Sequence, residues 1–129
     1  SQNDAEKICE EEGKRRGDVG MRLPTARELA LYAMTLEGGA AEGISETPKD
    51  GYNLVKGSDT AGNPDYFYYS TKGYNRPAGD LGNYWFWSSS VPPDYTVYTY
   101  FLLGNVGYID YAYRSYDYYH FAVRCLRSR

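Results

Sequence analysis

Histidine, cysteine, tryptophan and methionine are scarce in this chain of 129 residues, with one His, two Cys, two Trp and two Met. His120 with Cys9 and Cys125 cannot complete a four-ligand zinc site from nitrogen and sulfur alone. They also leave little for nucleophilic catalysis by a cysteine–histidine pair. No apolar run is long enough for a transmembrane helix, which excludes direct membrane insertion by helices. An excess of positive charge is missing too: the formal net charge is −3, a poor basis for binding nucleic acid through its phosphates. Gly-x-Gly-x-x-Gly, P-loop and His-Glu-x-x-His motifs do not occur. Ser88-Ser89-Ser90 lacks the Gly-x-Ser-x-Gly elbow that would expose a nucleophile. The expectation is a protein that is not an enzyme, with no cofactor and no metal site.

What is present suits a soluble globule. Charged residues make up 24% and hydrophobic ones 42%, enough for one core and too short for two, so residues 1–129 are expected to form one domain. No targeting segment is visible and the chain begins at Ser1, which reads as a fragment of a longer protein or a processed product. Cys9 and Cys125, one near each end, are either two buried thiols or a disulfide. The disulfide is the favoured reading and would imply an oxidising, extracellular setting.

Two helices are legible near the N-terminus. Asn3 through Glu6 reads as a helix start with Asn3 as N-cap, Ala5, Ile8 and Cys9 share a face, and Gly13 supplies the stop. Lys14-Arg15-Arg16 then falls just past the helix end, where cations suit the dipole. The second helix is marked by Pro24 and a Thr25-x-x-Glu28 capping box, with Leu29, Tyr32, Ala33 and Leu36 at helical spacing up to Gly38-Gly39. Leu23 can pack on Leu29 as a staple.

Residues 37–83 are rich in glycine and proline and read as a long loop interrupted by one strand-like run, Tyr66 to Tyr69. Asp59, Asn63 and Asp65 have calcium-ligand chemistry but no EF-hand spacing, and are taken as turn formers. From Tyr84 onward strands are expected. Trp85-Phe86-Trp87 forms one, ended by Pro92-Pro93. In Tyr95 to Phe101, Val97, Thr99 and Phe101 alternate with Tyr98 and Tyr100. A turn at Leu102 to Asn105 leads to a return strand over 106–113, and Phe121, Val123 and Cys125 alternate in a last strand. The fold class is α+β: two N-terminal helices, a loop-rich middle and a C-terminal antiparallel sheet.

Tyrosine is the abnormal component. The chain has 16, and nine of them lie between residues 95 and 119, interleaved with Thr, Asn, Asp, Ser, Gly and Ala. Strands favour cross-strand aromatics, which accounts for some of them. So many cannot all be interior to a domain this small, and large amphipathic rings mixed with small polar residues have the composition of a paratope. The last 36 residues also lack Lys, Glu, Gln, Trp and Met. The rate over residues 1–93 would supply about seven, somewhat fewer after allowing for strand composition. Asparagine codons varied at both adenines never encode those five types, so the absence fits a segment diversified from such codons.

Arg22-Leu23-Pro24-Thr25-Ala26-Arg27-Glu28-Leu29, Trp87-Ser88-Ser89-Ser90 and Val123-Arg124-Cys125-Leu126-Arg127 resemble, in order, the "RLPT..EL", "YWSSS" and "VRCVR" motifs of a bacterial and phage domain family. That family includes the C-terminal domain of the Legionella collagen-like adhesin type. The resemblance spans nearly the whole chain and implies a C-type-lectin-like fold. Members of that fold serve as the variable proteins of diversity-generating retroelements. It further implies a bond between Cys9 on the first helix and Cys125 in the last strand. The ligand-binding, variable positions it implies are Tyr95, Tyr98, Tyr100, Tyr108, Asp110, Tyr111, Tyr113, Ser115, Tyr116, Asp117, Tyr118 and Tyr119. Trp87, Val97, Thr99, Phe101, Phe121 and Val123 would be the invariable scaffold.

There are departures from the family pattern: Met21 stands where a tryptophan is common before "RLPT", and the usual initial strand is not seen. The Glu-Pro-Asn and Trp-Asn-Asp motifs of calcium-dependent sugar binders are absent, as is the reactive cysteine pair of sulfatase-activating relatives. The expected role is a binding protein on a virion or cell surface, its tyrosine-rich face taking a macromolecular ligand such as a protein receptor. Alternatives are an adhesin or pilus-type domain of fixed specificity, and a self-association module using the same tyrosines.

Overall fold

The computed structural model describes residues 1–18, 20–36, 43–59, 62–70, 84–104, 108–117 and 121–127, and the side chains of all of these except 34–36 and 108. Helix α1 (Gln2–Arg16) is capped by Ser1, whose Oγ accepts from the Asp4 amide, and not by Asn3. Gly13 does not stop it. The helix runs on through Lys14-Arg15-Arg16 and ends at Gly17, which takes a left-handed φ of 72° while the amides after Arg16 reach back to the Gly13 and Lys14 carbonyls. The three cations are therefore in the last turn, where the dipole favours them. Gly13 is needed for a different reason: a Cβ there would stand 2.2 Å from the Asp18 carbonyl oxygen. The inward face is Gln2, Ala5, Cys9 and Gly13, while Ile8 points outward.

Strand β1 (Met21–Arg22) leads to α2 (Ala26–Leu36), which begins with the expected capping box. Thr25 Oγ1 accepts from the Glu28 amide at 3.2 Å, and Glu28 Oε1 accepts from the Thr25 amide at 2.8 Å. Arg22 grips the same carboxylate with both terminal nitrogens, at 2.7 and 3.0 Å, and holds the Glu28 carboxyl below its usual range. Leu29, Ala30 and Ala33 face inward and Tyr32 sits at the surface.

The middle of the chain holds more order than a loop. β2 (Ile44–Ser45), β3 (Asn53–Ser58) and β4 (Pro64–Tyr69) form an antiparallel sheet in the order β2-β4-β3. The turn between β3 and β4 is where Asp59 and Asn63 are used. Asp59 accepts from the Asn63 amide and side-chain nitrogens at 3.0 Å each, and Gly62 adopts a φ of 89°. Asp65 is engaged by Arg27 Nε at 2.7 Å, and the Arg27 guanidinium also lies over the Phe67 ring, tying α2 to β4.

The second sheet has the order β7-β6-β5-β8, from β5 (Trp85–Trp87), β6 (Tyr98–Leu103), β7 (Tyr108–Tyr113) and β8 (Phe121–Ala122). It is mixed, not purely antiparallel, because β8 runs parallel to β5. Leu102 and Leu103 belong to β6, not to the hairpin turn. The expected last strand is two pieces: β8 ends at Ala122, and β9 (Leu126–Arg127) leaves this sheet to pair with β1.

Strand alternation gives this sheet two buried faces. Phe86, Leu102 and Ile109, with Tyr100 and Ala122 at the margin, pack with Leu29, Ala30 and Ala33 of α2 and with Val55, Phe67 and Tyr69 of the first sheet. On the opposite face, Trp87 and Phe101 pack with Ala5 and Cys9 of α1 and with Leu23, so Leu23 and Leu29 lie in different clusters. Phe121 stacks on Trp87 with ring centres 3.8 Å apart. Val97, expected in the scaffold, lies ahead of β6 and is exposed.

Cys9 and Cys125 are joined as a disulfide, which links α1 to the segment just before β9 and spans a sequence separation of 116. A loop of that size restricts the unfolded chain by about 4–5 kcal/mol in the chain-entropy model. Among the described residues no helix is long and apolar enough to cross a membrane.

Candidate ligand-binding site

The register of β6 and β7 decides which tyrosines meet. Tyr98 pairs with Tyr113, Tyr100 with Tyr111 and Leu102 with Ile109, so all six side chains share one face. That face passes from core to surface along the strands. Leu102 and Ile109 are buried, Tyr100 is half-buried, and Tyr111 and Tyr113 are 57% and 54% exposed. Tyr95, 64% exposed in the preceding turn, extends the row.

The rings support one another. Centroids of Tyr98 and Tyr113 are 4.7 Å apart, those of Tyr98 and Tyr111 5.3 Å, and those of Tyr95 and Tyr98 6.2 Å. The Tyr98 hydroxyl donates to that of Tyr113 at 3.3 Å, an interaction that pushes the Tyr98 pKa above its usual value. Tyr100 is also raised, by burial, and its hydroxyl donates to the Lys56 carbonyl at 3.1 Å. Both phenols therefore stay protonated at neutral pH and act as hydrogen-bonding groups.

The backbone beneath this face is fixed by the serine run, whose role is structural. Ser88 Oγ donates to the Tyr100 carbonyl at 2.7 Å, and the Tyr100 amide donates to the Ser90 carbonyl at 3.0 Å. Buried Thr99 donates to the Ser88 and Ser90 carbonyls. Ser90 Oγ accepts from the Ala26 amide at 2.9 Å and the Ser89 amide donates to the Pro24 carbonyl, so the serine run is bonded to the start of α2. The far end of β7 is held by two residues that composition and motif did not single out. Gln2, fully buried, donates to the Ser88 carbonyl at 3.1 Å and accepts from Arg114 Nε at 2.9 Å. Only its burial in a tertiary contact reveals it.

Five of the twelve expected ligand-binding residues thus converge: Tyr95, Tyr98, Tyr100, Tyr111 and Tyr113. Tyr100 is less outward than expected. Asp110 pairs with Phe101 and so lies on the opposite face, its carboxylate accepting from the Tyr111 amide at 2.7 Å. Ser115, Tyr116 and Asp117 follow the end of β7. Tyr116 comes edge-on to Phe121 at 6.1 Å, beside the cluster under α1, and Asp117 accepts from the Ser1 nitrogen. Tyr108 belongs to β7 but its side chain, like Tyr118, Tyr119 and His120, lies outside the described residues.

A cleft of about 500 Å³ opens beside the row, between Tyr95, Tyr98, Tyr100 and Tyr111 on one side and Leu54 and Lys56 of β3 on the other, with Pro92, Pro93 and Asp94 at its end. It offers aromatic faces, phenol hydroxyls and one side chain of each charge, the inventory of a recognition site. Among the described residues no cluster of His, Cys, Asp or Glu could hold a metal ion. No family model, curated protein or solved structure matches this chain.

Proposed function

We propose that this protein is a ligand-binding, receptor-recognition module whose tyrosine face, centred on Tyr98 and Tyr111, takes a macromolecular ligand. The observation that carries the reading is a contiguous row of half-buried to exposed tyrosines, their rings meeting edge-on or tilted, on and beside two strands whose backbones are bonded into a disulfide-linked scaffold. Rigid aromatics on a fixed sheet lose little entropy on binding, so side chains there can be exchanged without rebuilding the fold.

The scaffold reading is a C-type-lectin-like fold. It is supported by the way the three quoted motifs meet: Arg22 to Leu29 caps α2 and bonds the serine run, while Arg124 lies over the rings of Tyr32 and Phe86 and Cys125 is bonded to Cys9. Diversification by a retroelement is supported by the five residue types missing after residue 93. The disulfide suits an extracellular, virion or cell-surface site.

The test is selection from a phage-displayed library of bacterial surface-protein domains, followed by Tyr98→Ala and Tyr111→Ala. At least a tenfold loss of affinity at unchanged melting temperature is expected. Ligands that bind both variants as tightly as the parent would refute the reading.

A further inference from the structure

The free edge of β3 forms one wall of the tyrosine cleft, and its hydrogen-bonding pattern follows from one proline. Pro64 faces Ser58 in the β3–β4 register and has no amide to donate. That pair is consequently a non-hydrogen-bonded one, and by alternation so are Lys56 with Tyr66 and Leu54 with Tyr68. The backbone groups of Ser58, Lys56 and Leu54 all point away from β4. Ser58 confirms this by bonding outward in both directions with Val91, at 2.9 and 2.6 Å.

An antiparallel strand continuing from Val91 would next meet Lys56 with Pro93, which again lacks an amide. The ladder stops there, and the chain turns off with the Tyr95 amide bonding back to the Pro92 carbonyl at 3.2 Å. Tyr100 takes the Lys56 carbonyl. Among the described residues nothing pairs with the Leu54 amide, the Leu54 carbonyl or the Lys56 amide. All three face the side on which Leu54, Lys56 and four tyrosines line the cleft.

We infer that the ligand enters this cleft as an extended peptide segment that resumes the interrupted ladder, adding an antiparallel strand to β3 at Leu54 and Lys56 while its side chains meet the tyrosine row. The inference rests on the proposed binding role and narrows the ligand to an unfolded or protruding stretch of protein. The guest residue opposite Leu54 exchanges both backbone bonds with it, and its side chain falls on the cleft side. The residue two positions earlier lies opposite Lys56, where an acidic side chain is favoured. Neighbouring guest residues point away and contribute little.

The experiment pans the whole chain against a phage-displayed library of linear nine-residue peptides. Enriched peptides are synthesised with each amide N-methylated in turn and measured against the parent, Leu54→Ala, Leu54→Pro and Tyr98→Ala. Expected are peptides with an acidic residue two positions before an apolar one. Their affinity should fall about fivefold or more on N-methylation at the apolar residue, and similarly for Leu54→Pro relative to Leu54→Ala. N-methylation reads the same bonds from the ligand side should Leu54→Pro fail to fold. Recovery of no linear peptide, or binding indifferent to both changes, overturns strand addition. If Tyr98→Ala weakens binding while those changes do not, the tyrosine face remains the site and only strand addition falls. If none of them matters, both readings fall.

Discussion

Tyr98 and Tyr113 face each other across β6 and β7 with ring centres 4.7 Å apart and hydroxyls 3.3 Å apart, while Thr99, the next residue along, is wholly buried. Adjacent positions therefore have different surroundings, one the surface row of tyrosines, the other the interior of the fold. Tyr98→Ala and Tyr111→Ala are expected to change stability by less than about 1 kcal/mol, since the half-buried Tyr98 ring and the exposed Tyr111 ring mainly touch other tyrosines of the surface row. Phe101→Ala, in the core beside Trp87, should cost about 3–5 kcal/mol. Urea melts of the three variants check this contrast, and Tyr100→Ala should fall between, because its ring packs against the core cluster and its hydroxyl is bonded to the Lys56 carbonyl.

The disulfide should contribute substantially. Replacing Cys9 and Cys125 together by serine is expected to lower stability by about 2–5 kcal/mol, compared by denaturant midpoint with the oxidised parent. Loss of only a few tenths would mean that the packing around Cys9 supplies the connection unaided.

Gln2→Ala should be costly for a residue at the very start of a helix. It strands Arg114 Nε and leaves the Ser88 carbonyl with only the Thr99 hydroxyl, where the buried amide serves both groups simultaneously, and about 1–3 kcal/mol is expected. The same variant should loosen the end of β7, visible as faster amide exchange at Arg114, whose backbone amide bonds to the Val97 carbonyl.

Two carboxylates predict opposite pH behaviour. Glu28 is held below its usual pKa by Arg22, so its stabilisation is present above the ordinary glutamate range and is lost as pH falls through the lowered value. Glu6 is the reverse. Burial raises its pKa against the attraction of Arg114, and its Oε1 is buried without a hydrogen-bond partner. Its ionisation therefore destabilises the fold as pH rises from below the ordinary glutamate value. Thermal melts from pH 3 to pH 7 should show Glu28→Gln losing its penalty at the acid end. Glu6→Gln should melt above the parent at pH 7 and converge with it in acid.

How much of this was legible depended on the range of the interactions involved. The start of α2 was readable because Thr25 and Glu28 complete a capping box within one turn. Strand β3 was not, since Asn53 to Ser58 carries only Leu54 and Val55 as apolar residues and becomes a strand through pairing with β4 and the bridge to Val91. The tyrosine density pointed to a surface, yet it did not show which residues share it. The β6–β7 register separates Tyr111 from Asp110, and the contact with Phe121 takes Tyr116 toward the other face. Ser1 displaced Asn3 as cap, and Gly17 displaced Gly13 as terminator, because Gly13 was required for close approach to Asp18.

The central claim, that the tyrosine face is a diversified binding surface, is tested most directly by deep sequencing this gene across a growing population together with its flanking DNA. Substitutions confined to adenine-derived codons within residues 94–120, frequent at Tyr98, Tyr111 and Tyr113 and absent at Thr99 and Phe101, beside a near-copy repeat and a reverse-transcriptase gene, are the predicted result. An invariant segment without such neighbours, or changes spread evenly over the chain, would contradict it.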